Sequence, residues 1–178
     1  MTKTNASTLP VLITERLTLR SLSIDDYQPI YELRSDIAVN KFLNRKPCTS
    51  TEEAKSFINK INENIKIGGA YYWAITFTNT KQLVGTICLF EFSTEKKSCE
   101  IGYELRTTFQ GQGIMQEAVV SIIDFVFNTL KLEKILAFTD FENQKSTNLL
   151  LKLNFVKLRE GSKQNHNLTG FILTHNFE

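Results

Sequence analysis

Glycine and proline are scarce, 8 and 3 in 178 residues, about half their usual combined share. That excludes collagen-like and low-complexity chains. Cysteine is limited to Cys48, Cys88 and Cys99, an odd number with no metal-ligand spacing. Histidine occurs only at 166 and 175, so no His-Cys-carboxylate cluster forms and no metal site is expected. The thiols read as unpaired cysteines of a reducing compartment. Neither sign of charge dominates: 21 Lys+Arg stand against 19 Asp+Glu, a net +2. Such a balance provides no basic face for nucleic acid and no pull toward an anionic membrane. No apolar run approaches the ~18 residues of a membrane span, and the first ten residues are polar, without the apolar stretch of a secretory leader. A cytoplasmic protein is expected.

What is present suits one globular domain. Apolar residues make up 42% and charged residues 22%, and the length matches a single core. Residues 1–9 read as a flexible tail and 10–178 as the domain. Alternation over 11–22 predicts a strand. Ser23 then caps a helix whose apolar stripe is Ile30, Leu33 and Ile37. Ser50 and Glu53 form a capping box for a second helix bearing Ala54, Phe57, Ile58 and Ile61. Residues 71–78 and 83–92 pair as a hairpin, and 98–106 is a third strand with Ile101, Tyr103 and Leu105 on one face. Tyr71, Tyr72 and Trp73 open the hairpin, where they serve either the core or a binding pocket. A long helix follows Gly113, with Ile114, Met115, Ala118, Val119, Ile122, Ile123, Val126 and Phe127 at helical spacing. Residues 134–140 form a strand and 144–153 a helix, ended by Asn154 in the left-handed conformation. Residues 155–159 and 171–176 close as a hairpin around 161–169. The order β-α-α-β-β-β-α-β-α-β-β mixes antiparallel hairpins with one β-α-β unit, an α+β (mixed α/β) architecture.

The stretch from Glu100 to Ala118 runs strand, loop with two glycines, helix. Gly111 and Gly113 allow positive φ and close backbone approach to a ligand. The first amides of the following helix have no intrahelical acceptor and lie at the positive end of its dipole, so they form an anion site. A P-loop is excluded because Ile and Met, not Lys and Ser/Thr, follow Gly113. A dinucleotide fingerprint is excluded because Gln116 stands at its third glycine and the preceding strands are antiparallel.

Gln110-Gly-Gln-Gly-Ile-Met115 resembles the Gln/Arg-x-x-Gly-x-Gly/Ala loop of the GNAT family of acetyl-CoA-dependent N-acetyltransferases. Thr14-Glu-Arg-Leu-Thr-Leu-Arg20, Ile101-Gly-Tyr-Glu-Leu105, Gln116-Glu-Ala118, Asn143-Gln-Lys-Ser146 and Leu151-Lys-Leu-Asn-Phe155 resemble elements of its RimJ/RimL-like branch, which acetylates N-terminal amines of ribosomal proteins. The resemblance runs from about Leu12 to Phe177. It implies a central, mostly antiparallel, splayed sheet with helices on both faces. It also implies acetyl-CoA as co-substrate without a metal, and an amine acceptor such as a ribosomal or other protein N-terminus. The amides of Gln110, Gly111, Gln112, Gly113, Ile114 and Met115 would bind the diphosphate. The strand containing Tyr103 and Leu105 would splay from 134–140 and pair with the pantetheine arm. Asn143 would hydrogen-bond that arm, and Ser146 would sit near the sulfur. The chain departs from the pattern at Met115, usually Gly or Ala, at Leu150, where many relatives outside the branch have a Tyr acid, and at Asn154, usually Gly.

A thioester gives its acyl group to a neutral amine. An α-amine, with a pKa of ~7.7–8.0, is partly neutral near physiological pH, whereas a Lys amine at ~10.4 needs more help from a base. The expected chemistry is direct transfer in a ternary complex. A backbone N–H near Tyr103 or Leu105 would answer the charge on the acetyl oxygen. Glu104 or Glu100 would take the amine's proton through water, and Ser146 would serve the sulfur. A route through Cys88 or Cys99 is disfavoured because no His lies nearby in sequence to activate either. Two alternatives remain open at this point, an acyl-CoA-binding regulatory module without turnover and a small-amine (polyamine or antibiotic) acetyltransferase. The acceptor and the choice between monomer and homodimer are likewise open.

Overall fold

Period-two alternation builds the sheet that organises the molecule. The computed structural model describes residues 9–159 and 167–175. Its strands are β1 (Leu12–Ile13), β2 (Leu17–Arg20), β3 (Tyr71–Phe77), β4 (Leu83–Ser93), β5 (Ser98–Leu105), β6 (Lys134–Asp140), β7 (Val156–Lys157) and β8 (Leu168–Thr174). They form one sheet in the order β1-β2-β3-β4-β5-β6-β8-β7. Only the β5–β6 pair is parallel; the other pairs are antiparallel. The helices are α1 (Tyr27–Ser35), α2 (Ile37–Asn40), α3 (Thr51–Lys66), α4 (Ile114–Asp124) and α5 (Gln144–Lys152).

Alternation sends each strand's side chains into two cores. Trp73, Ile75, Ile87, Leu89, Ile101 and Ile135 pack with Ile114, Val119 and Ile122 of α4 and Leu150 of α5. On the opposite face Tyr72, Ala74 and Leu83 pack with Ile30 of α1 and Ala54 and Ile58 of α3. The sheet is therefore covered on both faces, as the resemblance implies. Trp73 is fully buried, and its indole N–H donates to Pro10 O at 2.8 Å, so the aromatics that open β3 serve the core.

Several expectations shift. The 11–22 strand is two short strands, because Thr14 N turns back to Leu17 O at 2.9 Å. The helix expected to run through Ile37 breaks at Asp36, whose extended backbone and carboxylate cap α2 through the amides of Ala38 and Val39. Ile37 is consequently 87% exposed and leaves the apolar stripe. Ser50 caps α3 as expected, but Glu53 reaches back to the Thr49 amide and hydroxyl at 2.8 and 2.9 Å, not to Ser50. The long helix ends in a π-helical turn, Phe125–Thr129, which brings three consecutive residues, Phe125, Val126 and Phe127, into the core. Asn154 has φ 64°, the left-handed stop expected of it. Strand β8 starts at Leu168, inside the expected loop. Residues 161–166 of that loop, residue 176 of the expected last strand and residues 1–8 of the expected tail lie outside the described residues, while Leu9 is buried. No helix among the described residues is long and apolar enough to cross a membrane.

Candidate active site

The parallel register of β5 and β6 runs from Ser98–Lys134 to Ile101–Ala137 and ends there, although β5 continues to Leu105 and β6 to Asp140. The diverging ends open a cleft of ≈ 640 Å³. Gly102 and Tyr103 form one wall, residues 138–140 another, and Asn143, Ser146 and Leu150 of α5 line the same space. Residues 41–44, after α2, close the remaining side. A larger groove of ≈ 800 Å³ between β1 and α4 is lined by a different set of residues; of its charged groups, Arg16 and Glu117 pair with each other and Asp124 accepts from Asn128.

Main-chain direction decides what β5 offers to the cleft. Arg106 N donates to Val84 O at 2.9 Å, and Glu104 O lies against Gly85. Both therefore face β4. Because alternate residues of a strand point their amides to opposite sides, Tyr103 and Leu105 turn theirs toward the opening. The Leu105 carbonyl is engaged by Gln110 Nε2 at 3.1 Å, which leaves, among the described residues, the two N–H groups and the Tyr103 carbonyl.

At the mouth of the cleft the chain turns into α4. Gly111 has φ 77° and Gly113 φ 75°, a region costly for any residue with a Cβ. Gly113 is the N-cap and has no side chain to satisfy the first helical amides. Gly111, Gln112 and Gly113 are exposed. The Ile114 and Met115 side chains are buried, so Met115 turns into the core and does not crowd the loop. Bare amides at a positive helix end, beside a narrow split with unpaired strand edges, suit an elongated ligand with an anionic head.

The loop is fixed from behind by Glu117. Its Oε1 accepts from Thr14 Oγ1 at 2.6 Å and Arg16 N at 2.9 Å, and its Oε2 from Arg16 Nε at 2.6 Å. Arg16 Nη1 also reaches Gln112 O at 3.1 Å. Burial pushes the Glu117 carboxyl up, but these hydrogen bonds outweigh it and hold it below the ordinary carboxylate range.

Ser146, the residue expected near the sulfur, meets Asn143 and Tyr103. Asn143 Oδ1 accepts from Ser146 N at 3.2 Å, capping α5 and leaving its amide NH₂ for a ligand. Ser146 Oγ lies 2.9 Å from Tyr103 Oη across the split. Burial pushes the Tyr103 phenol up to about 12, with the Ser146 hydrogen bond pulling the other way.

The expected bases lie elsewhere. Glu100 and Glu104 project from the face opposite Tyr103, and neither lines the cleft. Glu100 is buried in the half of β5 that pairs on both sides. Glu104, its side chain 9% exposed, sits 2.6 Å from Arg45 Nη2 and 3.9 Å from Arg34 Nη1. The Arg45 contact is an ion pair without hydrogen-bond direction, while Thr86 Oγ1 donates to the other Glu104 oxygen at 3.3 Å. Arg45 also donates to Asn40 Oδ1 at 2.7 Å. Together these contacts hold the 41–45 segment against the cleft. Burial, with Glu104 adding to it, pushes the Cys88 thiol up to about 12, and burial does the same to Cys99. Neither is a ready thiolate.

Three features had no signal in the sequence: the wall at 41–44, the Arg34–Arg45–Glu104 cluster, and Lys145, whose Nζ donates to Gln110 Oε1 at 2.8 Å across the mouth.

A split mixed sheet with a bare-amide loop at its mouth is the framework of an acyltransferase that draws on a long thioester carrier. Residues 16–156 match the acetyltransferase (GNAT) domain family. The chain belongs to that family and is an N-acetyltransferase that uses acetyl-CoA. It is 35% identical over 149 residues to uncharacterized N-acetyltransferase p20 of Bacillus licheniformis, covering 84% of each chain. It is 29% identical over 124 residues to the [ribosomal protein uS5]-alanine N-acetyltransferase of Escherichia coli, covering 63% of this chain and 62% of that one. The fold also superposes on spermidine N-acetyltransferase from Vibrio cholerae in complex with CoA and spermine, with a TM-score of 0.76 at 23% identity, over 90% of this chain and 96% of that one.

Proposed function

We propose that this enzyme acetylates the α-amine of a protein N-terminus, by direct transfer from acetyl-CoA in a ternary complex. The observation that supports this acceptor most is the charge of the cleft. Among the described residues its lining has one cation, Lys41, and one carboxylate, Asp140, and Asp140 Oδ1 already accepts the Glu142 amide at 2.9 Å. The nearby carboxylates Glu104 and Glu100 face away. A polyamine needs several carboxylates to replace its water, whereas a peptide N-terminus brings one charge and loses it near pH 8. The similarity to the uS5-alanine enzyme points the same way.

In this reading the diphosphate of acetyl-CoA rests on the amides of residues 110–115, with Lys145 beside it. The pantetheine arm lies along Tyr103 and Leu105 as a short extra ladder, within reach of the Asn143 amide. The N–H of Tyr103 or Leu105 answers the charge that builds on the acetyl oxygen, and Ser146 faces the sulfur. Water takes the amine's proton, since the base role expected for Glu104 and Glu100 is not carried into this reading. The test is an acceptor panel in which peptides beginning with Ala or Ser, the same peptides Nα-blocked but bearing Lys, and spermidine are scored by mass spectrometry. Acetylation confined to free N-termini is expected. Acetylation of spermidine alone overturns the protein-N-terminus reading and leaves the small-amine one.

A further inference from the structure

A serine hydroxyl has one proton and two lone pairs, so its use to a departing sulfur depends on which neighbour holds which. The Ser146 backbone is fixed, because its amide donates to Asn143 Oδ1. Its hydroxyl has Tyr103 Oη, 2.9 Å away, as its one hydrogen-bond partner among the described residues. The two side chains come from opposite walls, β5 and α5, and both line the cleft. A phenol is the more acidic hydroxyl of such a pair and therefore the natural donor. Burial keeps the Tyr103 phenol protonated, at about 12, throughout the working range.

We propose that Tyr103 is a positioning residue for acyl transfer: its phenol donates to Ser146 Oγ, occupies one lone pair there and leaves the serine proton aimed into the cleft at the carrier's sulfur. This rests on the reading of the cleft given above. As the carbon–sulfur bond breaks, its electron pair stays on sulfur, which accepts a hydrogen bond from Ser146 and later takes its proton from water. No proton leaves Tyr103. Transfer from a phenol at about 12 to a thiolate whose thiol titrates near ~8.5 runs uphill. The pair is thus a hydrogen-bond relay of fixed direction. Were Tyr103 the acceptor, the serine proton would point away from the sulfur and the relay would be idle.

The deciding measurement needs no acceptor. CoA bound to the protein is titrated by thiolate ultraviolet absorbance, as a difference against desulfo-CoA so that the protein's own thiols cancel, and its Kd is measured by calorimetry. Tyr103→Phe should keep the Kd for CoA within about twofold and lower the bound thiolate fraction at pH 8 about three- to tenfold, the size of one net hydrogen bond. Ser146→Ala should do the same, and the double variant should fall no further. Turnover on the peptide panel should show kcat lowered with KM for acetyl-CoA unchanged. A Tyr103→Phe protein with the wild-type thiolate fraction overturns the proposal. So does an additive double variant, or a Kd lost in step with the signal. A wild type that binds no CoA overturns the reading of the cleft itself. Binding without any effect of Tyr103→Phe overturns only the relay.

Discussion

Glu117→Gln probes how firmly the glycine loop before α4 is held. In the wild type the carboxylate accepts three hydrogen bonds, two on Oε1 and one, from Arg16 Nε, on Oε2. Glutamine can keep its carbonyl oxygen toward Thr14 and the Arg16 amide, but its NH₂ then meets the Arg16 guanidinium donor to donor. One charge-assisted bond is lost outright, worth ~1.5–3 kcal/mol when well shielded. Arg16 is 45% exposed, so water screens the pair and the lower end applies, about 1–2 kcal/mol. At ~2–4 °C per kcal/mol for a chain of this size, the thermal midpoint at pH 7 should fall by about 2–8 °C. The Glu117 carboxyl is held below its ordinary range in the folded state. Its contribution is therefore full above the unfolded carboxylate pKa of ~4.3 and is lost as pH falls through the lower folded value. Scanning calorimetry of both proteins from pH 7 to pH 3 should show a gap that narrows below about pH 4. Equal midpoints at pH 7, or a gap that persists unchanged at pH 3, would refute the clamp.

Gly111→Ala meets open space, so only the positive φ opposes it. It should cost about 1–2 kcal/mol of stability and weaken CoA binding measurably by calorimetry, and an unchanged Kd would argue against amide contact at that loop. Lys145→Ala should also weaken CoA, with a shallower salt dependence of Kd than the wild type; an identical salt dependence would remove Lys145 from the diphosphate site. Cys88→Ala should retain acetyl transfer, and rapid mixing of the wild type with acetyl-CoA alone should release no burst of free CoA, since an acyl-cysteine intermediate is what a burst would report. Glu104→Gln leaves Arg45 and Arg34 facing each other without a counter-charge and should cost about 2–4 kcal/mol in denaturant titration. A lost kcat with unchanged stability would restore Glu104 as the base.

Which of these features the sequence could show follows from how far apart their partners lie. The β3–β4 hairpin, the glycine turn and the left-handed Asn154 follow from neighbours within a few residues, and all are found where the local pattern puts them. The split between β5 and β6 came through family resemblance, since the register of a parallel pair leaves no periodic trace. The break at Asp36 was hidden because Ile37 keeps perfect helical spacing, and the carboxylate that ends the helix is also a good first-turn residue of the next. The placement of Glu104 was half legible. Alternation puts it opposite Tyr103, but its arginine partners come from α1 and the segment after α2, whose approach depends on how that pair crosses the sheet. Glu104 is therefore engaged by Arg34 and Arg45, which hold the 41–45 segment against the cleft.

The same logic explains why motifs far apart in the chain occur together. Thr14 and Arg16 at the start, and Gln112 and Glu117 after the third central strand, look like separate signatures, yet they are two halves of one contact. A loop that opens a helix without a side-chain cap cannot satisfy the helix's first amides internally, and two glycines in the left-handed region make it floppy in the unfolded chain. Something outside the loop has to fix it before ligand arrives, or binding must supply that ordering. The β1–β2 turn does so without occupying the ligand side, because it grips α4 through a side chain at the fourth helical position and leaves the first three amides bare.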